Sequence, residues 1–453
     1  MKIAFYGLGK LGLPYAALLA EKGHIVIGID TNKDVRQTIH DGRVPDSIRE
    51  PGLPELVKRV VHGKGKIDVN IRARQVRQDC GVPEGELIIP LGDPDNAARD
   101  ADASIILVPT PSLPDGSFSI EYVLSAIRTI GRLIKDSTEP HTVLLVSTVS
   151  PGATGGPIRR VLEMASQRSV LIFLELIYMP EFVQLGNVLE GMKNPFAYLM
   201  GVQDPEGRKG QTYSPFVIGD APIVTMSWEE AELAKIGLNC ALSLKPILAN
   251  TLAPICNHYG ADVDKVTSFI GMDPRVGPKL LRAGLHPGGP CLPRDIRALE
   301  AAGRGSHPVR LATAINVMGG VEVDRWVEFL ETLSMRHFGY KNIRDLGILG
   351  LTYKPGVDVI EESFGNKLYW YLHDDSNAFH IRSYDSTQET LNTPDVLAEV
   401  IRCSNILILT QMHAGLKEVL ESGVDLKDKV IVDPWRYLDQ NKLRCLAYYG
   451  GLE

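Results

Sequence analysis

Apolar and polar positions alternate in blocks from the first residues onward. Lys2-Ile3-Ala4-Phe5-Tyr6 is a short apolar run. A glycine-rich turn follows, then an apolar helical stretch from Leu13 to Glu21, then a second strand-like run, Ile25 to Ile29, ending at Asp30. Brief, continuous apolar runs between turn residues predict strands buried on both faces, as in a parallel sheet. The pattern continues. Ile105 to Val108 runs into Pro109-Thr110-Pro111, Thr142 to Ser147 ends at Thr148 and the turn Ser150-Pro151-Gly152, and Val170 to Tyr178 ends at Met179-Pro180-Glu181. In open parallel sheets the carboxyl ends of the strands face one crevice, where ligands sit. These three loops are therefore candidate site loops.

From about Ser227 to Gly260 strand signals vanish and the pattern turns helical. Glu229, Glu230 and Glu232 favour a helix N-terminus, and Pro246 and Pro254 are expected to kink or break the helix. A second helical stretch, about Val309 to Arg336, follows a segment rich in glycine and proline. Strand and helix then alternate again through Leu346 to Leu351, Ile381 to Tyr384 with Asp385, Ile406 to Leu409, and Val430 to Val432 with Asp433. The fold class predicted is α/β: two Rossmann-like, doubly wound domains over 1–220 and 326–453, joined by a helical domain over 221–325.

Composition narrows the picture. The chain has 453 residues, and at roughly 150 residues per domain that suggests about three domains. With 44% hydrophobic and 23% charged residues it reads as globular rather than disordered. A net charge of −7 argues against a general nucleic-acid binder. No apolar run approaches the roughly 20 residues of a membrane helix, and the N-terminus lacks a signal-peptide layout, so neither is expected. The cysteines, Cys80, Cys240, Cys256, Cys291, Cys403 and Cys445, are scattered without a CxxC pair. They predict no disulfide framework, no metal site, and a reduced, cytoplasmic setting.

Gly7-Leu8-Gly9-Lys10-Leu11-Gly12 lies between a strand and a helix, with an acid, Asp30, at the end of the next strand. Gly7 permits the tight turn, Gly9 lets backbone approach a pyrophosphate, and Gly12 lets helix and strand pack closely. The helix start offers unpaired N–H groups to phosphates. Asp30 can accept from both ribose hydroxyls and would repel a 2′-phosphate, which favours NAD over NADP. Nothing later in the chain suggests a flavin.

The segment His286-Pro287-Gly288-Gly289-Pro290-Cys291-Leu292-Pro293-Arg294-Asp295 carries the chemistry. Glycines and prolines fix an irregular loop, with Cys291 at its centre and Asp295 where a helix resumes. Such a cysteine is poor packing material, unlike Cys240 or Cys256 on helices. On their own, Lys235 could be a solvated charge, Glu181 an acid near a helix start, and Asp295 a helix cap.

Together these motifs resemble the nucleotide-sugar 6-dehydrogenases, the family of UDP-glucose, GDP-mannose and UDP-N-acetylhexosamine dehydrogenases. Val108 to Pro111, Ser147 to Thr154, Pro180-Glu181-Phe182, Lys235 to Asn239, Asp273 to Gly277, Gly288 to Asp295 and Tyr353 to Ser363 occur in the family's order over nearly the whole chain. The resemblance implies oxidation of a sugar C6 alcohol to a carboxylic acid, with two hydrides passed to two NAD⁺, on a nucleotide sugar expected to be UDP-linked. It implies that Lys235 and Asp295 flank the C6 oxygen, with Asn239 and a water. Cys291 would attack the aldehyde to give a thiohemiacetal, and loss of the second hydride would give a thioester. Glu181 would be the base for hydrolysis, with Thr148 holding the water. A basic neighbour, Lys235 or Arg294, would favour the thiolate.

Further contacts follow from the same resemblance. Lys10, Leu11, Pro109, Thr110, Thr148 and Arg294 join Gly7, Gly9, Gly12 and Asp30 at the cofactor. Phe182, Val183, Lys235, Asn239 and Leu292 join Arg275, Lys279 and Lys354 at the substrate. The central helices would form a homodimer or larger homo-oligomer, with Arg275 reaching the other subunit's substrate, and the C-terminal domain would hold the nucleotide end.

The chain also departs from the family. A second glutamate common in the P-E-F segment is Leu185, the R-E-S arginine is Glu361, and the D-G-R arginine of the glucose enzymes is Trp435, with Arg436 the adjacent candidate to replace it. Two other readings stand beside the main one. A two-electron hydroxyacid-type dehydrogenase would need neither Cys291 nor a third domain. A nucleotide-sugar-binding protein that has lost activity would keep the fold without turnover.

Overall fold

A computed structural model describes residues 1–61, 85–170, 173–207, 213–303, 310–339, 345–374, 380–388 and 390–452. Cys80 lies outside them. The chain divides into two compact units, Met1–Lys235 and Ile236–Glu453.

The first unit is built on one sheet. Its strands are β1 (Lys2–Tyr6), β2 (Ile25–Ile29), β3 (Glu86–Ile88), β4 (Ala103–Ile106), β5 (His141–Leu145), β6 (Leu174–Tyr178), β7 (Tyr198–Val202) and β8 (Ile223–Ser227). They stand in the order β3-β2-β1-β4-β5-β6-β7-β8, with every pair parallel except β6 and β7. Successive side chains point to opposite faces of a strand. Ile3 and Phe5 thus enter a core with Leu13, Leu19 and Leu56, while Ala4 and Tyr6 enter another with Ile127, Ile130 and Leu162. Burial on both faces is why these strands are apolar throughout. Past the boundary expected at residue 220, β8 completes this sheet, and the compact unit runs on to Lys235.

The long helix Trp228–His258 passes through Pro246 and Pro254 without the expected break. Each proline removes one backbone bond, and tertiary packing holds the remainder. Cys240 and Ile247 from this helix pack with Ile296 and with Ala312 and Ile315 of helix Arg310–Gly320.

The second sheet comprises β9 (Asp345–Leu349), β10 (His380–Tyr384), β11 (Ile406–Leu409), β12 (Leu426–Val432) and β13 (Cys445–Tyr449). All are parallel, in the order β10-β9-β11-β12-β13. Leu346 and Ile348 share a core with Trp326 and Leu330, and Leu407 and Leu409 face the other side. The boundary expected at 325–326 cuts the helix Glu322–Phe338, whose Val323, Trp326 and Leu330 belong to this sheet's core. The helices from Ile236 onward fall with the second sheet in one unit rather than forming a unit of their own. No helix among the described residues is long and apolar enough to cross a membrane.

Candidate active site

The glycine turn of the first unit fits a dinucleotide. Gly7 has φ +99°, and a Cβ there would strike the carbonyl of Leu107. A Cβ on Gly12 would strike the carbonyl of Gly7, whereas a Cβ on Gly9 would meet nothing within 4 Å. Backbone can therefore be approached at Gly9, above a helix, Gly12–Glu21, whose N-cap, Leu11, supplies no side-chain hydrogen bond. Lys10 and Leu11 are half-buried beside it. Asp30 accepts from the N–H of Leu8 at 2.9 Å and of Asn32 at 2.8 Å, which fixes its carboxylate at the end of β2 and leaves lone pairs for ribose hydroxyls.

The ends of β4 and β5 are tied together. The hydroxyl of Ser147 accepts from the N–H of Val108 and donates to its carbonyl, both at 2.8 Å. Thr110, buried, donates to the carbonyl of Thr148 at 2.8 Å, so its hydroxyl proton is already placed, and Pro109 is exposed. The following turn is gripped by Glu232, read from the sequence only as a helix-start acid. Its wholly buried carboxylate accepts from the N–H of Gly152 at 2.6 Å and of Thr154 at 2.8 Å. Burial pushes its pKa up, against the pull of these hydrogen bonds.

At the end of β6, Lys235 is buried rather than solvated. Its Nζ donates to the backbone carbonyl of Glu181 at 2.5 Å and lies 4.6 Å from the centre of the Phe182 ring. The Glu181 carboxyl is pushed up to about 7 by burial, with the charge of Lys235 opposing the rise. A base poised near neutrality suits proton transfer at physiological pH. Phe182 meets Phe196 edge-on at 5.3 Å. Val183 and Leu185 pack against the first core, so Leu185 is apolar where an acid would be buried.

In the second unit Cys291 is exposed and immediately precedes the helix Leu292–Gly303, while Cys240 and Cys256 are buried. A helix start favours negative charge. The N–H of Asp295 closes the first turn on the carbonyl of Cys291 at 2.9 Å. Asp295 is fully buried. It accepts from Asn239 Nδ2 at 2.6 Å, while Arg294 donates to its other oxygen at 3.3 Å. Arg294, expected at the cofactor, is thus engaged with Asp295. The loop ahead of Cys291 needs its glycines: a Cβ on Gly288 would lie 2.6 Å from the carbonyl oxygen of Glu362, and one on Gly289 would lie 2.7 Å from the Tyr353 ring.

Comparison with known proteins decides the lineage. The UDP-glucose/GDP-mannose dehydrogenase family's NAD binding domain matches residues 1–82 and 91–216, and its central domain matches 229–318. The UDP-glucose 6-dehydrogenase AglM of Haloferax volcanii is 32% identical over 80% of this chain and 78% of its own length. The chain belongs to the UDP-glucose/GDP-mannose dehydrogenase family. Among solved structures, a UDP-glucose dehydrogenase from Pyrobaculum islandicum is similar at 26% identity and TM-score 0.79, covering 99% of this chain and 97% of that one. A UDP-D-ManNAc dehydrogenase from Pyrococcus horikoshii shares the fold at 22% identity and TM-score 0.81, covering 100% and 99%.

The family places NAD on the first unit, where the glycine turn and Asp30 fit it, and NAD is the cofactor. The residues expected at the substrate are less uniform. Arg275 is exposed and paired with Asp273 at 2.6 Å. Lys279 is exposed, Leu292 is half-buried, and Lys354 lies 5.7 Å over the Tyr353 ring. Arg436, expected at the substrate, has all five guanidinium N–H groups engaged within the protein. Glu361 is exposed. Its neighbour Glu362 is the anchored one, paired with Arg297 at 2.8 Å and with Lys367. No linear pattern marks the roles of Glu232 or Glu362, because Gly152 and Thr154, which Glu232 holds, and Arg297, which Glu362 pairs with, are distant in the chain.

Proposed function

We propose that the protein oxidises the C6 alcohol of a nucleotide-linked sugar, UDP-linked in the first instance, to the carboxylate in two successive two-electron steps. The observation that supports this most is the exposed Cys291 at a helix start, one turn ahead of the buried Asp295–Asn239 pair. When bound, NAD supplies the hydride acceptor.

In the first step the C6 hydroxyl loses its proton as hydride leaves, giving the aldehyde. Lys235 stabilises the negative oxygen, and Asp295, oriented by Asn239, holds the water that accepts the proton. The thiol of Cys291 then adds across the aldehyde carbonyl, forming a C–S bond and a hydroxyl. That thiohemiacetal has a C–H bond from which the second hydride leaves as the hydroxyl proton is lost, giving a thioester. Glu181 removes a proton from water, with Thr148 helping to hold it. The hydroxide formed displaces Cys291 and releases the acid.

Arg275 is proposed to serve the other subunit's substrate in a homodimer, Lys279 and Lys354 the nucleotide end, and the cytoplasm is the proposed setting. Counting NADH per sugar with UDP-glucose is the test. Two NADH support the reading. One NADH per sugar points to a two-electron dehydrogenase, and tight binding without NADH points to a binding protein. Cys291→Ala is expected to stall after the first. Near wild-type formation of two NADH by that variant would return Cys291 to a structural role.

A further inference from the structure

The turn that follows β12 holds the approach to the cysteine. Arg436 has a left-handed backbone, φ +48°, which a non-glycine residue adopts at a cost. Its Nε and Nη2 donate to the Asp264 carboxylate at 2.7 and 2.9 Å, and its Nη1 donates to the carbonyls of Pro434 and Gly450 at 2.9 and 2.8 Å. Nη2 also donates to the carbonyl of Ala283 at 2.7 Å.

Arg282 reaches the opposite way, donating to the carbonyls of Trp435 and Arg436. The indole of Trp435 lies on Gly284, where any Cβ would collide with the ring. The grip continues along the chain: Gly284 N–H donates to Asn250 Oδ1 at 2.8 Å, and His286 N–H donates to Glu322 Oε1 at 2.5 Å. Residues 282–286, which lead directly into the cysteine loop, are thus pinned by three elements: the turn after β12, the long helix at Asn250 and the helix start at Glu322. Arg436 supplies the only fork among these contacts with a two-point carboxylate pair, the geometry that specifies position best.

We propose that Arg436 is a positioning residue for the nucleophile: latched to Asp264 and Ala283, it sets the course of residues 282–291 and so the place of the Cys291 sulfur. This rests on the reading of Cys291 as nucleophile. It replaces the role of substrate ligand that the position in sequence suggested. The position costs no donor to a ligand, because the guanidinium has none to give. Misplacement of a reacting group by about 1 Å can cost on the order of a hundredfold in rate.

The test has two readouts. The first is alkylation of Cys291 by iodoacetamide without substrate or NAD, followed by mass spectrometry of the cysteine peptide. The second is steady-state NADH formation with UDP-glucose. Arg436→Ala is expected to change the alkylation rate by about fivefold or more and to lower kcat by about tenfold or more, with KM altered less than about threefold. Arg436→Lys, which keeps charge but not the fork, lies between. Asp264→Asn gives a smaller shift in both readouts, and it decides the matter if Arg436→Ala does not fold. A raised KM with kcat and alkylation intact would make Arg436 a substrate ligand and overturn the proposal. So would wild-type values of both readouts in Asp264→Asn. Alkylation needs no turnover. If wild-type protein leaves UDP-glucose unoxidised, that bears on the proposed function, while the latch is still judged on the thiol.

Discussion

The two sheets carry the same device at equivalent places, and the acid at its centre is held by different sets of donors. In the first, Gly7 N–H donates to Ile29 O at 2.8 Å, Leu8 N–H donates to Asp30 at 2.9 Å, and Asn32 N–H donates to Asp30 at 2.8 Å. In the second, Gly350 N–H donates to Tyr384 O at 2.8 Å, Leu351 N–H to Asp385 at 2.7 Å, and Thr387 N–H to Asp385 at 2.8 Å. Gly7 and Gly350 both have positive φ, +99° and +120°, and Gly12 and Gly365 each fit against the carbonyl of that glycine with no space for a Cβ. The acids then diverge. Asp30 is half-buried and accepts two backbone N–H groups. Asp385 is fully buried and accepts in addition from Thr352 N–H and Oγ, Thr387 Oγ and Gln411 Nε2. A strand-end acid is therefore ligand-ready or structural according to the side chains around it, not according to the turn.

The largest expected effect breaks that pair apart. Asp385→Ala strands several buried donors, at about 1–3 kcal/mol for each group left unsatisfied. Urea denaturation should show the second unit destabilised by about 3 kcal/mol or more, while Asp30→Ala costs the first unit about 1 kcal/mol. Equal losses would show that the two acids do the same job. Burial works to raise the Asp385 pKa, but the hydrogen bonds from Thr352, Thr387 and Leu351 outweigh it and leave it lowered. A lowered carboxylate contributes stability above its unfolded pKa, about 3.9, and loses it as pH falls through the folded value. Acid unfolding below about pH 4 should therefore begin in the second unit.

Next in size is the cofactor effect. Asp30→Ala should lower kcat/KM for NAD by about tenfold and leave NADP no worse, because the carboxylate that meets the ribose and repels a 2′-phosphate is gone. The matching variant of the second turn, if it folds, should leave NAD kinetics unchanged. Unaltered preference for NAD in Asp30→Ala would place cofactor selection elsewhere.

Much of this contrast was hidden in the sequence. The strands were legible because both-face burial writes short apolar runs, and the first turn was legible because its glycines are packed into six residues, Gly7 to Gly12. The second turn separates Gly350 from Gly365 by a long excursion, so no motif marks it. Lys235, Asn239, Asp295 and Cys291 are legible only by their order along the chain; the first three are buried and Cys291 is exposed. The Arg436–Asp264 pair is not legible in the sequence, because resemblance assigns roles by position and the two residues are 172 apart. Glu232 was read from its neighbours on the helix, which say nothing of the turn at Gly152 that folds onto it.

The smallest effect concerns a third acid and the opposite outcome. Among the described residues, no ring of donors like that around Asp385 is seen at the Glu181 carboxylate. The Nζ of Lys235 donates to the Glu181 backbone carbonyl, and its charge opposes the rise, but burial prevails and the carboxyl stands at about 7. If Glu181 is the base for thioester hydrolysis, it must be ionised to act. Acid formation should then be about half-maximal at pH 7, gain about twofold by pH 8, and fall about tenfold per unit below pH 6. Glu181→Gln removes the titrating group. It should flatten this limb and let the covalent adduct on Cys291 accumulate, visible by mass spectrometry of quenched enzyme. An inflection near pH 7 that survives in Glu181→Gln would assign the titration to another group. Glu181 would then act only through the backbone carbonyl that holds Lys235.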